Sequence, residues 1–514
     1  MSTLTHIVNL LFSPRRRAID RFRAHPLEVQ EEQLKYLLKT ASATRFGQAH
    51  GFADIHNAES FRQRVELHDY ESFAGFIDRS RKGESDVLWP GRVNWFAKSS
   101  GTTDAKSKYI PVTRNGLTHC HMRGPIDVAA LYASLHPDSK VFGGKTLTLG
   151  GSRRIEREGE HALTGDLSAI LIENTPAWAS SRRIPSVETA LIPDFEEKVR
   201  RIAEECASQH VTSFAGVPSW NLVMLRHLLE YSGKNNILEI WPDLELFIHG
   251  GVSFRPYREI YRQLIPSSEM NYMETYNASE GFFAIGDEPG RDDMLLMLDY
   301  HTYYEFLPLQ SLHDPSKAIP LEGVRTGVQY ALVISNSNGL WRYQIGDTVE
   351  FTSLTPYRIR ITGRTKHYIN AFGEELIVDN AERAMRAACD ATGAEISEYT
   401  AAPIYMEANS KGAHEWIVEF SRKPESIEAF RDALDRNLQS LNSDYEAKRY
   451  KETTLQPPRI TQVPSGTFLR WMEQQGKTGG QNKIPRLAND RRYADSILEL
   501  TTAKPTEHVY SHSR

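Results

Sequence analysis

The pattern of the chain changes once, near residue 365, and this change limits the fold more than any other feature. Before it, the first hundred residues read as helices joined by short turns. Leu34, Leu37, Leu38 and Ala41 fall at i, i+3, i+4 and i+7, the stripe of a helix facing a core, and Phe195, Val199, Ile202, Ala203 and Cys206 repeat it. Between residues 320 and 352 the pattern becomes extended. Tyr330–Ile334 is a β-type run, Asn336-Ser337-Asn338-Gly339 is a turn signal, and Leu340–Ile345 resumes extended chain, which predicts a hairpin. After Thr362-Gly363-Arg364 the chain starts afresh. A helix follows Asp379, which is placed to cap it; strand-like runs come near Tyr399–Tyr405 and Glu415–Phe420. A second helix sets Ile427, Phe430, Leu434, Leu438 and Leu441 on one face. Helix–strand–strand–helix–strand is a small α+β unit. The expected class is therefore α/β, with a large lobe of sheets packed with helices over 1–364 and a smaller α+β domain over 365–514.

Composition narrows the function. The 514 residues are 40% hydrophobic, enough for a large core, and a formal net charge of -5 lacks the basic face that general nucleic-acid binding needs. Cys120, Cys206 and Cys389 lie far apart with no CxxC pair, which predicts packing cysteines in a reducing compartment, not a zinc ribbon or a disulfide framework. The apolar run Ile7–Phe12 precedes Arg15, Arg16 and Arg17, the reverse of a secretory signal; an amphipathic start packed on the protein body is expected. No run reaches the roughly 18–20 apolar residues that span a bilayer. A cytoplasmic protein without membrane association is the expectation.

Four motifs carry chemistry. In Ser99-Ser100-Gly101-Thr102-Thr103-Asp104-Ala105-Lys106-Ser107-Lys108-Tyr109-Ile110-Pro111, hydroxyls and backbone N–H groups around a glycine can converge on phosphate oxygens. The spacing of a Walker loop is absent. In Tyr272-Met273-Glu274-Thr275-Tyr276-Asn277-Ala278-Ser279-Glu280-Gly281 a tyrosine can stack on a purine, and the carboxylate of Glu280 suits Mg²⁺, which prefers oxygen ligands and bridges to phosphates. The plain alternative is a strand end with a solvated glutamate. Upstream, His249-Gly250-Gly251-Val252 offers bare backbone against which a flat base can lie. In Trp341-Arg342-Tyr343-Gln344-Ile345-Gly346-Asp347 an ionised aspartate can accept from two ribose hydroxyls, although Gly-Asp is also a frequent turn. Lys477-Thr478-Gly479-Gly480-Gln481-Asn482-Lys483-Ile484-Pro485-Arg486 places a lysine on a glycine-rich loop that can swing and neutralise developing charge; an exposed basic loop is the alternative. Each is weak alone.

Taken in order, these motifs resemble those of the Gretchen Hagen-type acyl acid amido synthetases, a branch of the adenylate-forming superfamily. The first loop fits that branch's S-S-G-T-[ST]-x-G-x-x-K-x-[IV]-P at every fixed place but one, where Ala105 replaces glycine. The likeness extends to Gln33–Phe52, Tyr70–Trp89 and Gly165-Asp166-Leu167-Ser168, and so covers nearly the whole chain. It implies a small domain that rotates between two half-reactions. It also implies ATP and Mg²⁺, a small carboxylic acid and an amine or amino acid as co-substrates, and no obligatory protein partner. Carried over by position, Ser99, Ser100, Gly101, Thr102, Thr103 and Lys108 belong to the phosphate loop, and Gly250, Gly251, Val252, Thr275, Asn277 and Ser279 to the nucleotide site. Tyr276 stacks on adenine, Glu280 binds Mg²⁺, Asp347 holds the ribose, Arg364 and Lys366 lie at the hinge beside the nucleotide, and Lys483 is the mobile lysine. Acyl-pocket walls are implied over Met122–Tyr132 and Phe214–Leu225. Met122, Phe214, Val217 and Trp220 are the candidates, with core packing as the alternative for Phe214, Val217 and Trp220.

Two other functions share these residues. One is an acid–CoA ligase with a thiol acceptor; the other is a nucleotide-binding scaffold that kept the fold and lost the reaction, a reading to which Ala105 lends support.

Overall fold

The hairpin read from residues 330–345 is present in the computed structural model as strands Gln329–Asn336 and Tyr343–Leu354, paired antiparallel with Ile334 opposite Tyr343. The structure describes residues 3–100, 107–149, 155–192, 194–252, 254, 257–312, 314–365, 368–406, 410–452, 454–474 and 485–502. They form two compact units, Met1–Thr365 and Lys366–Arg514.

In the first unit the hairpin is part of a sheet that has twelve strands among the described residues. From one edge the order is Ile319–Pro320, Thr302–Pro308, Gln329–Asn336, Tyr343–Leu354, Tyr357–Arg364, Met294–Leu296, Gly281–Ile285, Asn271–Ala278, Leu246–Gly250, Val211–Gly216, Lys145–Thr148 and Arg183–Ile184. From Ile319 to Asn271 neighbouring strands are antiparallel; from Asn271–Ala278 onward they are parallel. Parallel neighbours need crossovers, and helices Pro218–Ser232 and Arg258–Leu264 supply two of them. Strand Asn271–Ala278, which carries Tyr276, lies where the two regimes meet. A second sheet orders Ser107–Val112, Trp95–Ser100, Ala162–Gly165 and Glu156–Glu158.

The helical stripes hold. Leu34, Leu37, Leu38 and Ala41 are all buried on helix Pro26–Ala41, as are Val199, Ile202, Ala203 and Cys206 on helix Phe195–Cys206. The N-terminal helix Thr3–Leu11 packs differently from expectation. Its polar residues hold it down: Thr5 Oγ1 donates to Ser139 O at 2.7 Å and Asn9 Nδ2 to Ala133 O at 2.8 Å. Leu4, Ile7, Leu10 and Leu11 are exposed. Among the described residues no helix is long and apolar enough to cross a membrane.

In the second unit, helices Val378–Thr392 and Ile427–Leu441 accompany a sheet of Glu395–Ile404, Ala413–Arg422 and Arg459–Gln462. The first helix begins one residue before Asp379, so that residue lies inside the helix and Ile377 takes the cap position. Phe430, Leu434 and Leu438 face inward as their spacing requires. The segment that follows residue 484 is tied to the first strand. Ala401 N donates to Arg486 O at 2.9 Å, Ala488 N to Ala401 O at 3.0 Å, and Thr400 Oγ1 to Pro485 O at 2.6 Å. The Arg486 guanidinium lies 4.6 Å from the Tyr399 ring centroid and pairs with Glu382 and Glu398.

Candidate active site

Tyr276 and Asp347 are 71 residues apart in sequence, and the sheet brings them into contact. Tyr276, on strand Asn271–Ala278, donates its hydroxyl to Asp347 Oδ2 at 2.8 Å. Asp347 lies well inside strand Tyr343–Leu354, not in a turn, with Arg364 as its cross-strand partner; Arg364 Nε donates to Asp347 Oδ1 at 2.8 Å. The carboxylate is thus fixed through both oxygens. An ionised carboxylate has about four acceptor directions, so each oxygen keeps one for a further donor such as a ribose hydroxyl. Tyr276 is buried with its ring 5.0 Å from that of Phe283, and burial first, then Asp347, holds its phenol well above the ordinary value. It remains a donor at any working pH.

Glu280 occupies the two-residue turn between strands Asn271–Ala278 and Gly281–Ile285. A solvated glutamate was open from sequence, but this one is only 7% exposed. Burial pushes its carboxyl up to about 7; Lys108, its own backbone N–H and Arg364 oppose that shift, and Asp347 adds to it. Burial wins because the surrounding positive charge is too small to compensate for lost water. Glu280, Lys108, Asp347 and Arg364 therefore share one electrostatic neighbourhood built from both sheets of the unit. Lys108 also lies with Nζ 5.6 Å from the Tyr70 ring centroid, and Tyr109 N donates to Tyr70 Oη at 3.0 Å.

The turn is held from behind by residues that the sequence marked only as a turn signal. Asn336 Nδ2 and Asn338 Nδ2 both donate to Glu280 O, at 2.8 and 3.2 Å. Asn338 Oδ1 accepts from Thr113 N at 3.1 Å, and its Nδ2 lies 3.3 Å from His121 Nε2. An amide nitrogen only donates, so that ring nitrogen accepts and His121 is neutral, in keeping with burial that pushes it down to about 4. Gly116 is required here: a Cβ on it would lie 1.8 Å from Asn338 Oδ1.

Gly250 pairs with Thr275 on the neighbouring strand, where a Cβ would stand 2.4 Å from Thr275 O; the backbone is bare at that point because nothing larger fits. Thr275 Oγ1 donates to His249 O at 3.1 Å, and Asn277 is exposed one residue beyond Tyr276. Gly251 and Val252 follow the end of strand Leu246–Gly250, and Ser279 is half-buried beside Glu280. In the second sheet Ser99 and Ser100 face Lys108 and Ser107 across the ladder. Gly101, Thr102, Thr103, Ala105, Lys106, Lys366 and Lys483 lie outside the described residues.

The four acyl candidates part company. Val217 comes next to Gly251: its Cγ2 is 3.3 Å from the place of a Cβ on that glycine. Trp220 is buried on helix Pro218–Ser232, and Met122 is half-buried at the start of helix Arg123–Leu135. Phe214 is fully buried in an aromatic stack, with its ring centroid 4.2 Å from Phe247 and 6.2 Å from Tyr261. Its surroundings are those of a core residue.

This fold is shared with adenylate-forming enzymes. The chain superposes on a GH3.15 acyl acid amido synthetase with a TM-score of 0.57, at 15% identity over 92% of this chain and 93% of that one. On a 2-hydroxyisobutyryl-CoA ligase the TM-score is 0.56, at 13% identity over 93% and 92%. Residues 15–270 match the GH3 family N-terminal domain, 295–364 the GH3 family central domain and 379–492 the GH3 family C-terminal domain, and the chain belongs to the GH3 family. It is 21% identical to the Arabidopsis thaliana 4-substituted benzoates-glutamate ligase GH3.12, covering 93% of this chain and 95% of that protein. It is 25% identical to the indole-3-acetic acid-amido synthetase GH3.8 of Oryza sativa subsp. indica, over 91% and 89%.

Proposed function

We propose that this protein is an ATP-dependent acyl acid amido synthetase. A carboxylate oxygen of the acid attacks the α-phosphorus of ATP, the bond to the β-phosphate oxygen breaks, and pyrophosphate leaves. The amine of an amino acid then attacks the acyl carbon, AMP leaves with the bonding pair, the nitrogen loses a proton, and an amide remains. The single observation that carries this reading is the meeting of Tyr276, Asp347, Glu280 and Lys108 in one neighbourhood of a GH3-family chain.

Each group has a task set by its surroundings. Asp347, held by Tyr276 and Arg364, presents its remaining acceptor directions to the ribose hydroxyls. The Tyr276 ring and the bare backbone of Gly250 and Gly251 border the adenine. Lys108 and the hydroxyl-rich loop before it stabilise charge on the phosphates. Positioning supplies much of the rest, because both substrates are held together. No group of three or more His, Cys, Asp or Glu among the described residues forms a ready metal site. One buried carboxylate short of positive charge does fit Mg²⁺, which takes one or two protein carboxylates together with substrate phosphates. When bound there by Glu280, the ion neutralises phosphate charge.

The test is acid-dependent pyrophosphate release over a panel of aryl, indolyl and aliphatic acids with MgATP. The adenylate so formed is then offered an amino-acid mixture or CoA while AMP release is followed. Release with amino acids supports the amide reading, release with CoA alone gives a thioester-forming ligase, and ATP binding with no pyrophosphate release leaves only a scaffold.

A further inference from the structure

Two uncharged polar atoms near the end of the parallel strands have no partner among the described residues. Asn221 is fully buried on helix Pro218–Ser232, and its Oδ1 accepts nothing. The amide is not free to turn over: Nδ2 donates to Val217 O at 3.2 Å, which leaves Oδ1 directed away from the backbone. His249, 4% exposed on strand Leu246–Gly250, has a buried Nδ1 that is likewise unmatched. Both belong to the same face of the sheet. His249 is two residues beyond Phe247, with ring centroids 5.2 Å apart, and Phe247 stacks on Tyr261 at 5.0 Å. The Tyr261 hydroxyl donates to Pro218 O at 2.7 Å, which seats the start of the Asn221 helix over that face.

They also lie over adjacent strands. Gly216 is the register partner of His249, and a Cβ on Gly216 would meet, among the described residues, only Asn221 Nδ2 at 2.9 Å. Parallel strands are about 4.8 Å apart, so the Asn221 amide, packed over Gly216, stands over the strand next to that of His249. The pair is close to the proposed nucleotide site: Gly216 directly precedes Val217, whose Cγ2 is 3.3 Å from the place of a Cβ on Gly251.

A buried acceptor without a donor costs stability unless something completes it, and beside a substrate site a ligand group can be that partner. The carboxyl in register with His249, Glu274, is pushed up to about 7 by burial in spite of Arg258 and Arg360, so this place offers an ammonium little fixed negative charge. A hydroxyl does suit it, since it can donate to Asn221 Oδ1 and exchange a hydrogen bond with neutral His249.

We infer that Asn221 and His249 select, in the adenylation reaction proposed above, a carboxylic acid that carries a hydroxyl on its acyl portion. The inference rests on that reaction and adds the class of acid.

The test compares kcat/KM for pyrophosphate release within matched pairs such as 3-hydroxybutyrate with butyrate and 4-hydroxyphenylacetate with phenylacetate, extended over hydroxyl positions. The best acid is expected to carry a hydroxyl and to exceed its deoxy partner at least tenfold. In Asn221→Leu that ratio falls to within twofold. His249→Phe, which keeps a ring against Phe254, serves as a second variant in case the first does not fold. A best acid whose deoxy partner lies within twofold overturns the inference while leaving adenylation standing. Failure of every acid to release pyrophosphate overturns the reaction itself.

Discussion

The hydroxyl of Tyr276 lies 2.8 Å from Asp347 Oδ2, so the residue expected to border the adenine also steadies the residue expected to hold the ribose. Hydrogen bonds to a charged group contribute about 1.5–3 kcal/mol. Tyr276→Phe is expected to raise the KM for ATP about tenfold, with kcat changed less. Asp347→Ala removes the acceptor of both Tyr276 and Arg364 and is expected to cost more. ATP titrations at saturating acid check both; a Tyr276→Phe variant with an unchanged KM for ATP removes this pair from the nucleotide site.

Glu280 makes stability depend on pH in a direction opposite to most carboxylates. Its folded value near 7 exceeds the ordinary 4.5 because of burial. Between those values the folded chain retains a proton that the unfolded chain releases. Ionising Glu280 therefore costs stability as pH rises from about 4.5 to 7, by about 3 kcal/mol at most. Glu280→Gln cannot ionise, and its Tm is expected to fall less than that of the wild type between pH 5 and pH 8. Equal slopes in thermal melts across that range contradict the assignment.

Arg342 and Glu305 form a two-point ion pair at 2.9 and 3.0 Å, with side chains 5% and 1% exposed, and Arg342 also donates to Val65 O at 2.6 Å. Removing one partner leaves a charge buried alone. Glu305→Ala is expected to cost about 3–5 kcal/mol in denaturant unfolding, and Glu305→Leu with Arg342→Met together much less than either substitution alone.

Gly116→Ala forces a methyl group onto Asn338 and so loosens the clamp on the Glu280 carbonyl. Overpacking of this kind costs about 1–3 kcal/mol. The variant is expected to lose thermal stability and to need more Mg²⁺ for half-maximal pyrophosphate release. An unchanged Mg²⁺ requirement would mean that the clamp serves folding alone.

Lys483→Ala is expected to slow acid-dependent pyrophosphate release roughly 100-fold, the scale on which a charge-stabilising donor counts, with Tm unchanged. A rate equal to that of the wild type excludes Lys483 from adenylation.

Local chemistry made part of this fold legible. The hairpin around Asn336–Gly339, the stripe Leu34–Ala41 and the small-unit helix with Phe430 and Leu434 obey periodicities set by backbone geometry. The burial of Glu280 was not readable, because it depends on Asn336, Asn338, Thr113 and His121 arriving from distant parts of the chain. Asn336-Ser337-Asn338-Gly339 carried a turn signal that concealed a second task. Phe214 illustrates the converse: an aromatic residue on a strand can be read as pocket wall or, more readily, as core, and its stack with Phe247 and Tyr261 is that of a core residue. Helix Thr3–Leu11 misleads for a similar reason, since its attachment is through Thr5 and Asn9, not its leucines.

Arg364 does more than steady a carboxylate. It stands opposite Asp347 in the ladder, and the next residue, Thr365, donates its backbone N–H to Gly346 O at 2.8 Å. Thr365 is also where the first unit ends. The rung that fixes the Asp347 carboxylate is thus also the last one before the chain leaves the first unit.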